Sequence, residues 1–152
     1  MMTNLDAFLQ VLAVSEGTAS IGDRGYNCIV GSTPQQPILF GSYRDHPRLK
    51  VQLRPDLVST AAGRYQILAR YFDAYKVQLH LQDFGPGAQD LIAVQMIKEQ
   101  GALDDVSSGR FDAAIAKVRN IWASLPGAGY GQHENQLATL REAFIVAGGV
   151  VA

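Results

Sequence analysis

Leu5, Phe8, Leu9 and Leu12 recur at three- and four-residue steps, the period of one face of an α-helix, and Asp6 and Gln10 interrupt the apolar run. Continuing the register brings Glu16 onto the same face, and Gly17 behind it suits a helix stop. Asn4 is expected to cap this helix, and Asp6 places negative charge in its first turn, where the helix dipole favours it. From Gly17 to Pro47 the period is lost. Gly, Asn, Pro and Ser surround short apolar runs at Tyr26 to Val30 and Ile38 to Phe40, which predict a small antiparallel sheet with long connections, ended near Asp45-His46-Pro47. Arg54-Pro55-Asp56 predicts a turn, after which Ser59 or Thr60 caps a long helix beginning near Ala61. Its stripe of Tyr65, Leu68, Ala69, Phe72, Tyr75 and Leu79 makes it the expected central core helix.

Gly85-Pro86-Gly87 punctuates, and a helix resumes from Ala88 to Gln100 with Leu91, Ile92, Met96 and Ile97 inside, stopped at Gly101. Another is predicted from about Phe111 to Asn120 on Phe111, Ala114, Ile115 and Val118. Pro126-Gly127-Ala128-Gly129-Tyr130-Gly131 reads as a loop, and a final helix carries Leu137, Leu140, Phe144 and Ala147 until Gly148-Gly149 releases it. Several helices with one small antiparallel sheet inserted after the first define an α+β fold, not the strand–helix alternation of a Rossmann or TIM architecture.

The 152 residues suit a single domain over 1–152, with no repeat, low-complexity tract or linker to mark a second. An apolar fraction of 47% beside 18% charged residues describes an ordinary globular chain. A formal net charge of -1 leaves no electrostatic footprint for nucleic acid or an anionic membrane. Cys28 is the only cysteine, so no intrachain disulfide forms, which is compatible with a reducing compartment. The start of the chain lacks a basic segment followed by a long apolar run, so neither a signal peptide nor a membrane span is expected.

Glu16 is the candidate reactive group. A carboxylate closing an apolar stripe is partly desolvated, and the C-terminal end of a helix carries partial negative charge. Both raise its pKa, and a proton donor at a cleft edge is what glycosidic bond cleavage requires. The alternative is a Glu on a fraying helix end in water. His46, His80 and His133 show no paired ligand spacing, so no metal and no cofactor are expected. His46 before Pro47 reads as a structural hydrogen bonder and His80 as a surface residue. Cys28 and Trp122 read as core. The Gly127 to Gly131 run lacks the following Lys and Ser/Thr of a phosphate-binding loop.

Ser15-Glu16-Gly17-Thr18, Gly25-Tyr26, Ile29-Val30-Gly31, Asp45-His46-Pro47, Gly63-Arg64-Tyr65-Gln66 and the unbroken run from Asn120 to Gln132 resemble the bacteriophage lambda endolysin family over nearly the whole chain. The resemblance implies a lysozyme-like fold and a peptidoglycan lytic transglycosylase, with the glutamate of the Ser-Glu-Gly motif, here Glu16, as the catalytic acid. It implies cleavage of the bond between N-acetylmuramic acid and N-acetylglucosamine with closure of a 1,6-anhydro ring. A hydrolytic muramidase of the same fold and a non-catalytic wall-binding module are the alternatives.

Sugar-binding positions are expected from three segments: Ser59, Tyr65 and Gln66; Asn120; and Tyr130 with Gln132 in the Gly-rich loop, where an aromatic face and an amide can hold an N-acetyl sugar. Core packing competes for Tyr65, and helix termination for Asn120. Asp23 and Asp45 are candidate water-activating partners in a hydrolase, although turn formation explains them better. Asn27 departs from the family pattern, in which an aspartate is expected. The implied partners are glycan strands, with no nucleic acid, no stable membrane insertion, a monomeric state and dependence on a holin-type membrane-permeabilising protein. The implied location is the host cytoplasm until release, with action on the wall in the periplasm.

Overall fold

The first helix, α1 (Asn4–Glu16), forms where the apolar period places it, burying Phe8, Leu9, Leu12 and Ala13. Its cap differs from expectation. Thr3 accepts from the Asp6 backbone N–H at 3.0 Å while the Asp6 carboxylate accepts from Thr3 N–H at 3.0 Å, a reciprocal capping box one residue upstream of Asn4. Asn4 is instead taken by Val150, whose N–H donates to Oδ1 at 2.9 Å, tying the two ends of the chain together.

The computed structural model describes residues 3–129 and 134–152. Among these, α1 is followed by strands β1 (Val51–Arg54) and β2 (Leu57–Ser59) and by helices α2 (Ala69–Gln78), α3 (Pro86–Glu99), α4 (Leu103–Ser107), α5 (Phe111–Val118) and α6 (Leu137–Val146). The expected α+β class holds. The short α4 has no counterpart in the periodicity, and no helix among the described residues is long and apolar enough to cross a membrane.

The chain gathers into two units: Met1–Glu16 with Ala93–Ala152, and Gly17–Ile92. In the first, α1 packs on α6 and α4, and α4 on α5. Phe8, Phe111 and Phe144 form a chain of rings with centroids 6.0 and 5.1 Å apart, so both chain ends and α5 share one core. All four predicted apolar positions of α5 are buried. Asp105 is nearly enclosed and held between Lys117 at 2.6 Å and Arg110 at 2.8 Å.

The second unit corrects two expectations. The runs at 26–30 and 38–40 meet only through a single antiparallel bridge, Cys28↔Leu39, while the true hairpin is β1 and β2 around the predicted Pro55-Asp56 turn. Leu53 and Val58 are exposed, so this hairpin buries no full face and leaves no clear alternation to read. The long helix expected from Ala61 does not form. Gly63 at φ 82° and Gln66 at φ 53° are both left-handed, which a right-handed helix cannot accommodate. Ala62 pairs with both Ile29 and Ile67 instead, and α2 starts eight residues late at Ala69, whose N–H donates to Thr60 Oγ1 at 3.0 Å. Tyr65 and Ile67 mimic a helical stripe because this turn also buries them. On α3, Ile92, Met96 and Ile97 are buried as expected, but Leu91 is 57% exposed.

Candidate active site

Glu16 is the last residue of α1, and Gly17 behind it takes φ 77°, releasing the chain. Its side chain is partly covered. Burial pushes the Glu16 carboxyl up to about 7 from an ordinary 4.5, opposed by a hydrogen bond donated from the Ser124 side chain. The orphan carbonyls at the end of α1 act in the same direction as burial.

The surroundings of that carboxyl come from distant parts of one unit. Ser124 Oγ lies 2.7 Å from Ser15 Oγ. Asn135 Nδ2 donates to Ser15 O at 3.0 Å, Ser15 Oγ at 3.2 Å and Ser124 O at 3.3 Å, and its backbone N–H donates to Ser124 O at 2.8 Å. Trp122 and Leu125, flanking Ser124, are buried, so the segment is anchored in the core. A carboxyl with a pKa near 7 holds a proton for half the molecules at neutrality and can both donate and reclaim it.

The other expected positions divide. Ser59 ends β2, and its hydroxyl accepts from the Ala61 N–H at 3.1 Å, so it finishes a strand and caps no helix. Tyr65 is 1% exposed and donates its hydroxyl to Asp90 Oδ1 at 2.6 Å; it is core, because its ring and its polar tip are both already occupied. Gln66 follows it, partly exposed, with Nε2 donating to Gly63 O at 3.0 Å. Asn120 does not point inward: it is exposed and donates to Gln100 Oε1 at 2.9 Å. Tyr130 and Gln132 lie outside the described residues. Up to Gly129 the Gly-rich run is the predicted loop, and the Glu134 carboxylate accepts from the N–H groups of Gly127 and Gly129, each at 2.9 Å.

The candidate second carboxylates are engaged. Asp23 accepts the Tyr43 hydroxyl at 2.7 Å, which holds its carboxyl below the ordinary value. Asp45 and Asp73 together grip Arg48, at 2.9 and 2.6 Å, and the Arg48 hydrogen bonds lower both acids. Asn27 serves locally, its Oδ1 accepting from the Asp23 N–H at 2.9 Å. His46 is the structural bonder expected: Nδ1 accepts from Arg48 N–H at 2.9 Å, so Nε2 carries the proton it donates to Ile67 O at 2.8 Å. Cys28 and Trp122 are buried and His80 is exposed, as expected.

Sequence reasoning missed the buttress in the second unit. Tyr26 and Tyr65 both donate to Asp90 Oδ1, at 2.9 and 2.6 Å, and burial with the Asp90 hydrogen bond raises both phenols. Gln89, fully buried, donates to Tyr26 O and Phe84 O and accepts from the Arg64 N–H at 2.9 Å. One signal was available. Gln89 falls three and four residues before Ile92 and Ala93, a polar group inside an apolar helical stripe, and such a group is retained where it is fully hydrogen-bonded. Nothing local marks Ser124 or Asn135.

The family model described as Endolysin matches residues 6–151. The chain is 50% identical over 157 residues to the endolysin of Escherichia phage P2, covering 98% of this chain and 95% of that protein. It is 51% identical over 149 residues to the endolysin of Escherichia phage lambda, covering 95% and 91%. Among solved structures, the bacteriophage lambda lysozyme complexed with a chitohexasaccharide superposes with a TM-score of 0.93 at 49% identity, covering 100% of this chain and 98% of that one. A second structure, lysozyme from bacteriophage lambda, gives 0.89 at 48% over the same shares.

Proposed function

The chain belongs to the endolysin family with a lysozyme-like fold, and from that membership we propose that it is a peptidoglycan lytic transglycosylase in which Glu16 is the single acid and base. The reading rests on one observation, the partly buried Glu16 carboxyl at the end of α1 with a pKa near 7. Protonated Glu16 gives its proton to the oxygen bridging N-acetylmuramic acid and N-acetylglucosamine, and the bond to that oxygen breaks. The resulting carboxylate takes the proton of the muramic acid C6 hydroxyl as that oxygen closes on C1, forming the 1,6-anhydro ring and returning Glu16 to its starting state. No water is consumed.

Hydrolases of the common type use a second carboxylate to activate water or attack the sugar. Asp23 and Asp45, the acids considered for that role, are each held by a hydrogen-bond donor that lowers the pKa and weakens them as bases, which favours the single-carboxylate scheme. The saccharide bound by the lambda relative supports a glycan substrate. Tyr130 and Gln132 remain the proposed sugar contacts, and Gln66 is proposed as a further amide donor and acceptor for sugar hydroxyls. Ser59 and Asn120 are secondary proposals, and Tyr65 acts through packing. Residues 1–152 work as one catalytic domain, the first unit drawing its residues from both ends of the chain. The protein acts on the wall as a monomer after a holin-type partner releases it to the periplasm.

Products decide the reaction. Digestion of purified sacculi is expected to yield anhydromuropeptides in the mass spectrum with no new reducing ends; reducing muramic acid ends would establish hydrolysis instead. Lysis of sacculi retained by Glu16→Gln would remove Glu16 from the mechanism and leave a binding module as the better reading.

A further inference from the structure

We propose that an open polar cavity in the second unit holds a free amino-acid end, an ammonium and a carboxylate on one carbon, of the kind an uncrosslinked wall peptide carries. The cavity has a volume of about 480 Å³ and is lined by Ser42, Tyr43, Arg44, Gln82 and Asp83. Its two walls are joined where they meet, the Phe84 N–H donating to Tyr43 O at 2.8 Å. Behind them Phe40 packs on Tyr43 and on the fully buried Phe84, with ring centroids 5.7 and 6.1 Å away. The Tyr43 hydroxyl is donated to Asp23 at 2.7 Å, Ser42 Oγ accepts from the Arg44 N–H at 3.2 Å, and Asp83 Oδ1 accepts from the Gly85 N–H at 2.8 Å. The frame is fixed by bonds that leave the charged tips unused.

Among the described residues, neither the Arg44 guanidinium nor the Gln82 amide has a hydrogen bond or an ion pair, and Arg44 and Asp83 form no bridge across the cavity they share. Opposite charges within reach of one another close into a pair; these stand on separate walls, so a ligand bearing both charges can satisfy each. The guanidinium matches a carboxylate with two parallel N–H donors. Ser42, whose oxygen is already accepting, keeps its hydrogen to donate to the same carboxylate. Asp83 Oδ2 accepts from the ammonium, and the Gln82 amide serves an adjoining peptide group as donor and acceptor. Tyr43, its hydroxyl committed, offers its ring as the wall against the carbon between. A neutral sugar would cover both charges without a counter-charge, which costs affinity. A ligand carrying one sign alone would meet one residue of the pair in repulsion. The inference deepens the proposed function, and the wall peptide as the source of the group rests on that reading, whereas the match of charges does not.

Nitrogen-15 NMR of the full-length protein titrated with diaminopimelic acid, which carries such a group at each end, reads the cavity without any cleavage. The amides of Tyr43, Arg44, Asp83 and Phe84 are expected to shift, with a dissociation constant of about a millimolar because the charges are exposed and screened. Pimelic acid, which lacks the ammonium groups, and cadaverine, which lacks the carboxylates, are expected to bind about tenfold more weakly. Arg44→Gln and Asp83→Asn, both at exposed positions, are each expected to weaken diaminopimelic acid by about tenfold. Shifts confined to other residues, an affinity unchanged in both variants, or equal binding of pimelic acid or cadaverine overturns the site. Sacculi stripped of their peptides by an amidase are expected to retain the Glu16→Gln protein less well than intact sacculi, and adding Arg44→Gln to remove that difference. Equal retention overturns the wall peptide as the occupant. A cavity that binds while sacculi yield no anhydromuropeptides upholds the site and refutes the proposed reaction; anhydromuropeptides without binding refute the site and leave Glu16 as the acid.

Discussion

Replacing Glu16 by Gln is expected to stabilise the protein at neutral and alkaline pH while abolishing lysis. The native carboxyl titrates at about 7 against an ordinary 4.5, so between those values the unfolded chain sheds a proton that the folded chain keeps. The folded state binds more protons there, and stability falls as pH rises. Its contribution is whole below about pH 4.5 and lost once pH passes the folded value. The rise of about 2.5 units, at about 1.36 kcal/mol each, amounts to about 3 kcal/mol; because Glu16 keeps some surface in water, about 2 to 3 kcal/mol is the expected measure. Gln has the same shape, still accepts from Ser124, and never ionises, so it escapes the penalty.

Urea and thermal unfolding of both proteins from pH 4 to pH 9 checks this. At pH 8 Glu16→Gln should melt roughly 4–12 °C higher, and the two curves should converge near pH 4.5. A difference that stays constant across the range, or the wild type being the more stable at pH 8, would refute the claim that the native fold resists ionisation of Glu16. The gain would also show why a reactive carboxyl is kept at a cost in stability, the usual trade between activity and stability.

Two further outcomes concern the second unit. Gly63→Ala should destabilise by about 2 to 4 kcal/mol in urea titrations, because a Cβ at φ 82° would run into Gln89 Oε1 and crowd Phe84 at 3.1 Å. His46 should titrate below its ordinary 6.5 in proton or nitrogen-15 NMR and show the Nε2–H tautomer, since burial disfavours the charged ring and Nδ1 is already accepting from Arg48 N–H. A folded pKa below the unfolded one means that His46's contribution is present above pH 6.5 and lost as pH falls.

Much of the helical frame was legible. The C-terminal end of α1, the buried face of α5 and the stop at Gly101 follow from local rules: apolar residues must share a face every 3.6 residues, and glycine ends a helix at little strain. The same local rules misled between Ala61 and Leu79. Tyr65, Leu68 and Phe72 keep helical spacing, yet Gly63 and Gln66 in left-handed conformations turn that stretch into a bridged bend. Burial makes an apolar pattern whatever backbone carries it, so period alone does not distinguish a helix from a tight turn packed under one.

The sequence by itself determined that Glu16 would close the apolar face of the first helix, because that depends only on the geometry of 13 consecutive residues. It also carried the motifs that place the chain in its family. Tertiary structure alone decided what that carboxyl meets. Ser124 and Asn135 gather on Ser15 beside it, and Tyr26, Tyr65 and Asp90 find one another, through the packing of distant segments. Such partnerships leave no local trace. A hydroxyl or an amide becomes part of a site only when the fold removes water from around it and leaves one partner within reach.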